Sequence, residues 1–372
     1  MRRYNKYCKI HDLWLDLAIL VSRENKCAFS IEDALGGGRW CRLFLAKKDI
    51  DELAISQRHP VSPTPVRTLS LSRNTETGEN IPAMLFSGMR VLRVLDLSNT
   101  NVSTLPVCVG EMKLLKVLNL RETEVREVPK CVRSLKSLSY LDVSGCRKFE
   151  QSQAPKWISG LRCLQHLAGN FKQIPKEISK LESLRTLRLD GWLSLSMEKD
   201  GVLRLEDVGK MNAIEEISFD VSDESQLKKM EEGILAPLLN MRRLYVRNEI
   251  NGMQSDPPQF PEKMSAMRDL ELLDLRKFAV PNWICCLPNL MYLYLRDCHS
   301  SDYPELQTMP NLVSLVLVGN ERCRALPKAF GKSGGFPHLR FFTIVDFSEL
   351  EEFPEIEDGA MACLEKLLRS CN

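Results

Sequence analysis

Leu92-Arg93-Val94-Leu95-Asp96-Leu97-Ser98, Leu115-Lys116-Val117-Leu118-Asn119-Leu120-Arg121 and Leu138-Ser139-Tyr140-Leu141-Asp142-Val143-Ser144 follow one another at intervals of 23 residues. Each string is apolar at its first, fourth and sixth positions. The closing alternation is the period of a strand with one buried face. The same step recurs along the chain as Val66/Leu69/Leu71, Leu184/Leu187/Leu189, Ile214/Ile217/Phe219 and Met241/Leu244/Val246. It continues as Leu270/Leu273/Leu275, Leu290/Leu293/Leu295, Leu312/Leu315/Leu317 and Leu339/Phe342/Ile344. Two weaker copies are Leu164/Leu167, with Gly169 in the third place, and Leu364/Leu367, with Arg369 there. The 13 copies stand 20 to 30 residues apart.

The segment ahead of each strand has its own rule. Leu105-Pro106 precedes Val109, Met112 and Leu115; Val128-Pro129 precedes Val132, Leu135 and Leu138; Ile174-Pro175, Phe260-Pro261 and Val280-Pro281 are followed in the same way. An apolar residue at every third position suits a tight 3₁₀ turn packed on one side. The unit is therefore turn, short helix and strand, with a length and pattern that match a leucine-rich repeat. One such unit cannot bury its own apolar face, but stacked neighbours can. The expected fold is α/β: a leucine-rich-repeat solenoid with a curved parallel β-sheet inside and short helices or 3₁₀ turns on the convex side. A polar residue five positions after the central leucine can bond backbone groups where the strand turns outward. Asn74, Thr100, Thr123, Cys146, Cys298 and Asn320 hold that place, whereas Trp192, Phe278 and Phe347 break the series. Longer steps mark insertions around 192–210, 221–235 and 248–261. The acidic residues Glu349, Glu351, Glu352, Glu355, Glu357 and Asp358 read as a solvated loop.

Composition excludes several classes. The chain has 372 residues, with 51 Lys and Arg against 49 Asp and Glu, a formal charge of +2. That balance does not fit a polycationic nucleic-acid binder. No apolar run approaches 18 residues, so no membrane-spanning helix is expected, and no secretory leader is read at Met1–Asp12. The 13 cysteines are scattered and many lie inside apolar patterns, as expected of reduced thiols in a cytoplasmic protein. The adjacent Cys285 and Cys286 read as packing, and no histidine has zinc-ligand spacing with cysteines.

Residues 1–65 show no repeat. Asp12 to Glu24 reads as a helix, with Asp12 as N-cap and an apolar stripe of Leu13, Leu17, Leu20 and Val21. This short helical remnant needs a partner surface. The string Cys8-Lys9-Ile10-His11-Asp12-Leu13-Trp14-Leu15-Asp16-Leu17-Ala18 resembles the Met-His-Asp motif that closes the nucleotide-binding region of plant NLR immune receptors. Ile10 stands where that family has Met. Val66-Arg67-Thr68-Leu69-Ser70-Leu71 is similar to the start of their repeats, and the Leu-Pro-x-x-Ile-x-x-Leu units resemble those of coiled-coil-type NLRs. The resemblance covers the chain but only the C-terminal portion of such a receptor. It implies residues 1–30 as the end of a winged-helix region, 31–65 as linker or N-terminal cap, and 66–372 as the repeat domain. It also implies a nucleotide-sensing role for His11 and Asp12, read here as vestigial because the rest of the pocket is missing. The nearest string to a phosphate-binding loop is Gly331-Lys332-Ser333, where the required earlier glycine is Leu326. No cofactor is therefore expected, ADP or ATP belonging to a full-length relative. Catalytic motifs are absent, and the chain is read as a non-enzyme.

Alternate strand residues face the concave side. Early copies place Val94, Asp96, Ser98, Val117, Asn119, Arg121, Tyr140, Asp142 and Ser144 there. Middle and late copies place Glu216, Ser218 and Asp220 there, then Arg243, Tyr245, Arg247, Asp274, Arg276, Tyr292, Tyr294 and Arg296, followed by Val316, Val318, Phe341 and Val345. Arginine and tyrosine are the types enriched at binding hot spots. The expected partner is a protein: a pathogen effector, as the resemblance implies, or the receptor's own nucleotide-binding region. The competing reading is a repeat-containing substrate adaptor or another interaction scaffold unrelated to immunity.

Overall fold

The computed structural model describes residues 66–370 apart from short breaks at 75–79, 87–88, 150–152, 190–192, 195–200, 251–256, 299–302 and 321. Ahead of them it describes only the strand segments 27–28 and 42–44. His11, Asp12 and the expected helix over 12–24 lie outside the described residues.

Every described strand belongs to one 16-stranded sheet, and every pairing in it is parallel. The strands are β1 (Cys27–Ala28), β2 (Arg42–Phe44), β3 (Thr68–Ser70), β4 (Val94–Asp96), β5 (Val117–Asn119), β6 (Tyr140–Val143), β7 (His166–Gly169) and β8 (Thr186–Leu189). They continue as β9 (Leu193–Ser194), β10 (Glu216–Val221), β11 (Arg243–Asn248), β12 (Leu272–Arg276), β13 (Tyr292–Arg296), β14 (Ser314–Val318), β15 (Phe341–Val345) and β16 (Lys366–Ser370). Spatial order follows chain order, except that β9 is a short side branch on β10. Each coil therefore packs on the one before it, as a solenoid requires.

The register is the one the leucine spacing dictates. Leu69 pairs with Leu95, Leu95 with Leu118, Leu118 with Leu141 and Leu141 with Leu167. The line continues through Leu187, Ile217, Leu244, Leu273, Leu293, Leu315 and Phe342 to Leu367. Nearly all these side chains are fully buried, Leu118 and Leu293 at 0% exposure, whereas Leu367 at the last coil is 45% exposed. A buried leucine contributes roughly 1.5–3 kcal/mol over an exposed one, so a one-residue slip would turn the whole stack outward. Two short strands ahead of the repeats join the same line, since Leu43 pairs with Leu69 and Ala28 with Leu43. The apolar period does not show them.

The opposite side is built from 3₁₀ turns. Those at Val107–Glu111, Lys130–Ser134, Lys156–Gly160, Lys176–Lys180, Glu262–Ala266, Asn282–Cys286 and Lys328–Gly331 each follow a proline. Proline supplies the fixed φ that starts the turn, and its carbonyl accepts from the amide three residues on, as Val109 N to Pro106 O at 3.1 Å. In all seven the third residue of the turn drives into the core: Val109, Val132, Ile158, Ile178, Met264, Ile284 and Phe330 are at most 1% exposed. Two of the three expected insertions hold the α-helices of the described chain, α1 (Leu205–Val208) and α2 (Glu224–Glu231). Asp223 caps α2 by accepting from Gln226 N at 2.9 Å, and Leu227 and Met230 bury its inner face.

The polar series after the strands does its expected work. Thr100 and Thr123 each donate to the carbonyl three residues back at 2.6 Å, and Cys146 Sγ reaches Leu120 O at 3.2 Å. Where the strand is longer, the task moves one residue earlier: Asn248 Nδ2 donates to Lys277 O at 3.1 Å. Phe278 and Phe347 interrupt the series and are buried instead. The chain leaves the strand in a left-handed conformation at the same place in eight coils, at Arg73, Asn99, Glu122, Gly145, Lys277, Asp297, Gly319 and Asp346. The acidic residues between 349 and 358 lie in an exposed irregular stretch, with Glu357 paired to Lys332.

Candidate functional site

Alternation along the strands puts three rows of side chains on the concave face. In the early coils the middle row is Asp96, Asn119 and Asp142, and each of these bonds locally to its own chain, Asp96 Oδ2 in addition accepting from the Ser70 hydroxyl of β3 at 3.3 Å. Their Oδ1 atoms accept from the amides of Ser98 at 3.1 Å, Arg121 at 3.1 Å and Ser144 at 2.8 Å. Such short local turns are possible because β4 and β5 end at that middle residue, which leaves the amide two positions on outside the ladder. Asp142 also accepts from the Tyr140 hydroxyl at 3.0 Å, and burial beside that carboxylate pushes the phenol's pKa up.

From β10 to β14 the same rows change character. The middle row becomes Ser218, Tyr245, Asp274, Tyr294 and Val316, directly paired from strand to strand. The row beside it is Glu216, Arg243, Leu272, Tyr292 and Ser314, and the third row is Asp220, Arg247, Arg276, Arg296 and Val318. Leu272, Tyr294 and Val316 form an apolar cluster separate from the main core, with Tyr245, Tyr292 and Val318 packed against it. Three arginines in direct register would repel one another, and each is held by a carboxylate. Arg247 makes a two-pronged pair with Asp220 at 2.8 and 2.9 Å and also reaches Glu249 at 3.0 Å. Arg276 pairs with Asp297 at 2.8 Å, and Arg296 with Asp274 at 3.1 Å. Arg243 pairs with Glu216 at 3.3 Å.

All eight residues that the sequence singles out for partner binding come together on this face: Arg243, Tyr245, Arg247, Asp274, Arg276, Tyr292, Tyr294 and Arg296. The arginines are tied to their neighbours, and Tyr294 is only 9% exposed. The face is thus a pre-ordered, nearly charge-neutral surface with an aromatic centre. Sequence reasoning missed Leu272, whose place in its copy is that of Tyr292 and so was open to the same reading. It also missed Asp297, Glu249 and Lys277, which sit beyond the strands and enter only through side-chain reach.

Asp274 is the outlier. It is 6% exposed, and desolvation pushes its carboxyl up to about 6, against the pull of Arg296 and Arg276. Residue 276 is still in the ladder opposite Arg247, so the local turn that serves Asp96 is not formed here. Oδ2 meets Arg296, while Oδ1 is buried with no hydrogen-bond partner. Away from this face Cys285, on a 3₁₀ turn, and Cys298, in the core after β13, are free thiols, pushed up by burial to about 11 and about 12. No group of three or more metal-binding side chains is assembled among the described residues. No helix among them is long and apolar enough to cross a membrane.

The family model for a leucine-rich repeat region matches residues 64–371. The chain belongs to the leucine-rich repeat family. Its repeat domain has the fold of a leucine-rich repeat protein from Leptospira interrogans, with 21% identity, a TM-score of 0.58, and coverage of 83% of this chain and 79% of that one. An internalin of Listeria monocytogenes shares the fold at 14% identity and a TM-score of 0.52, covering 82% and 81% of the two chains. Among curated proteins the sequence is similar to disease resistance protein RPP8 of Arabidopsis thaliana, 26% identical over 385 residues. That match takes in 98% of this chain and 40% of RPP8. The RPP8-like protein 3 of the same plant is 34% identical over 116 residues, 27% of this chain and 12% of that protein. The chain spans less than half the length of these relatives. The likeness to the C-terminal portion of a plant NLR, first read from the Ile10-His11-Asp12 string and the repeats, is thereby supported across the chain.

Proposed function

We propose that this chain is the protein-recognition part of a plant immune receptor, acting in the cytoplasm without catalysis or cofactor. It takes a pathogen effector on the concave face of β10–β14. The observation that carries this reading is the apolar cluster of Leu272, Tyr294 and Val316 with Tyr245 and Tyr292. It stands outside the main core, and the arginine–carboxylate pairs lie around it. An aromatic centre inside a polar rim is the anatomy of a binding hot spot. The early coils, whose polar residues bond themselves, offer no such centre. The relationship to RPP8 supports a role in defence.

A two-hybrid screen of pathogen secreted proteins against the whole chain, repeated with Tyr292→Ala, tests this. A partner retained by the wild type and lost by the variant is the expected result. Partners insensitive to Tyr292→Ala and to Tyr245→Ala would remove the face from the account. The nucleotide-binding region of a resistance protein belongs in the same screen. Its capture alone would make the face a regulatory contact within the receptor.

A further inference from the structure

The edge of the sheet at which the strands begin has its own charge pattern. The chain enters each of β4–β7 through a tight turn, closed where the amide of its fourth residue donates to the carbonyl of its first. The bonds are Leu92 N to Met89 O at 3.1 Å, Leu115 N to Met112 O at 2.9 Å, Leu138 N to Leu135 O at 3.1 Å and Leu164 N to Leu161 O at 2.9 Å. In all four turns the second residue is a cation: Arg90, Lys113, Lys136 and Arg162. A second row, directly ahead of β3, β4 and β5, is Arg67, Arg93 and Lys116. Backbone bonds hold this row in register, Arg93 N to Arg67 O and Lys116 N to Arg93 O, both at 2.8 Å. All of these side chains are exposed. The strands concerned, β3–β7, span roughly 20 Å at ordinary spacing.

None of these cations makes an ion pair among the described residues. Lys113 and Lys136 donate to the carbonyls of Gly110 at 2.8 Å and Gly160 at 3.3 Å, which holds their ammonium groups without neutralising them. The strings 89–93, 112–116, 135–139 and 161–165 contain no Asp or Glu, and the exposed Glu111 sits just ahead of one of them. In later coils the place ahead of the strand is neutralised from coil to coil. Arg185 pairs with Glu215 at 3.2 Å, Arg242 with Glu271 at 2.9 Å, and Arg340 with Glu365. Like charges side by side on neighbouring strands repel, so the early strip costs the folded chain something that an anionic surface would offset.

The kind of surface can be narrowed. Protein hot spots are rich in aromatic residues and poor in lysine, and single-stranded nucleic acid stacks on aromatic faces. The four strings hold no aromatic residue. Leu114, 46% exposed between Lys113 and Lys116, adds an apolar tip to the cationic strip. Cations spread along one edge with an apolar tip among them suit a layer of anionic headgroups.

We propose that this edge rests on an anionic membrane surface, as a peripheral contact and not a span. The concave face of β10–β14 lies on other coils and stays open to a partner.

The test measures binding of the full chain to vesicles of phosphatidylcholine, alone and with about 30% phosphatidylserine. Binding to the second kind only is expected. Raising salt from about 0.1 M to about 1 M should abolish it, because the screening length falls from about 10 Å to about 3 Å. Arg93→Gln combined with Lys116→Gln should weaken binding roughly thirtyfold, at about fivefold per cation. Lys136→Gln combined with Arg162→Gln repeats the test on the other row. Arg185→Gln combined with Arg242→Gln removes the same net charge from the later coils and should leave binding near wild type. No preference for the anionic vesicles, or equal losses in the early and late double variants, overturns the proposal. Failure on vesicles, together with polyglutamate capture that is lost in the Arg93→Gln and Lys116→Gln double variant, overturns it in favour of an acidic protein partner.

Discussion

The coils of β4–β6 and those of β10–β13 are built on the same leucine line, yet they treat their concave polar groups in opposite ways. In the early coils the strands are three or four residues long, and the middle-row Asp or Asn turns back on its own chain. In the later coils the strands run five or six residues. Pairing then continues past the middle row, and the carboxylates must look to arginines on neighbouring strands. Two extra ladder residues convert a self-contained polar face into a cross-linked one with atoms to spare. Core packing and the polar pairing of the concave face are thus set separately, the first by the leucines and the second by the residues and length of the strands.

The largest expected effect tests what the two regions share. Leu118→Asp places an unpaired carboxylate at a position of 0% exposure, costing on the order of 4 kcal/mol or more. Because coils lean on their neighbours, hydrogen exchange should rise across β4–β6 and not at position 118 alone. An effect confined to one coil would contradict the stacking argument.

The second prediction concerns the pH response of Asp274 in the later coils. The folded carboxyl of Asp274 stands at about 6, above its ordinary 3.8, so the folded state holds that proton more tightly than the unfolded one. Wild-type stability should therefore fall, relative to Asp274→Asn, as pH rises from about 4 to 7, by up to about 3 kcal/mol. Below that window the two should run parallel. Urea unfolding at four pH values checks this, and a difference that grows toward acid would reverse the assigned cause.

A smaller contrast concerns two left-handed glycines at the same turn. A Cβ on Gly319 would lie 2.2 Å from Asp297 Oδ1, and Asp297 is the carboxylate that holds Arg276. A Cβ on Gly145 would meet the flexible Glu122 Cγ at 2.8 Å. Gly319→Ala should cost about 1–2 kcal/mol and Gly145→Ala less, since both share the backbone penalty and only the first also disturbs an ion pair. Thermal melts of the two variants compare them directly.

Much of this was open to reading in the chain itself. Leucine spacing gave every rung from Leu69 to Leu367, because burial on one face leaves a period that no other constraint erases. The eight concave candidates followed from the same register. The strands at Cys27–Ala28 and Arg42–Phe44 were not legible, since two or three residues cannot show a period. Nor were the ion pairs: Asp297 and Glu249 sit past the strands, and their partners depend on where long side chains reach. The orphan oxygen of Asp274 was hidden for a third reason. Asp96 and Asp274 occupy the same place in the repeat, but Asp96 meets the Ser98 amide and the Ser70 hydroxyl, whereas Asp274 meets Arg296 through one oxygen.

The most direct test of the central claim compares the two faces within one molecule. A photo-crosslinking residue is placed at 292 in one version of the full chain and at 117 in another, and each is expressed in pathogen-challenged plant tissue. The account predicts a challenge-dependent protein adduct at 292 and none at 117. Equal adducts at both positions, or an adduct at 117 alone, would contradict it.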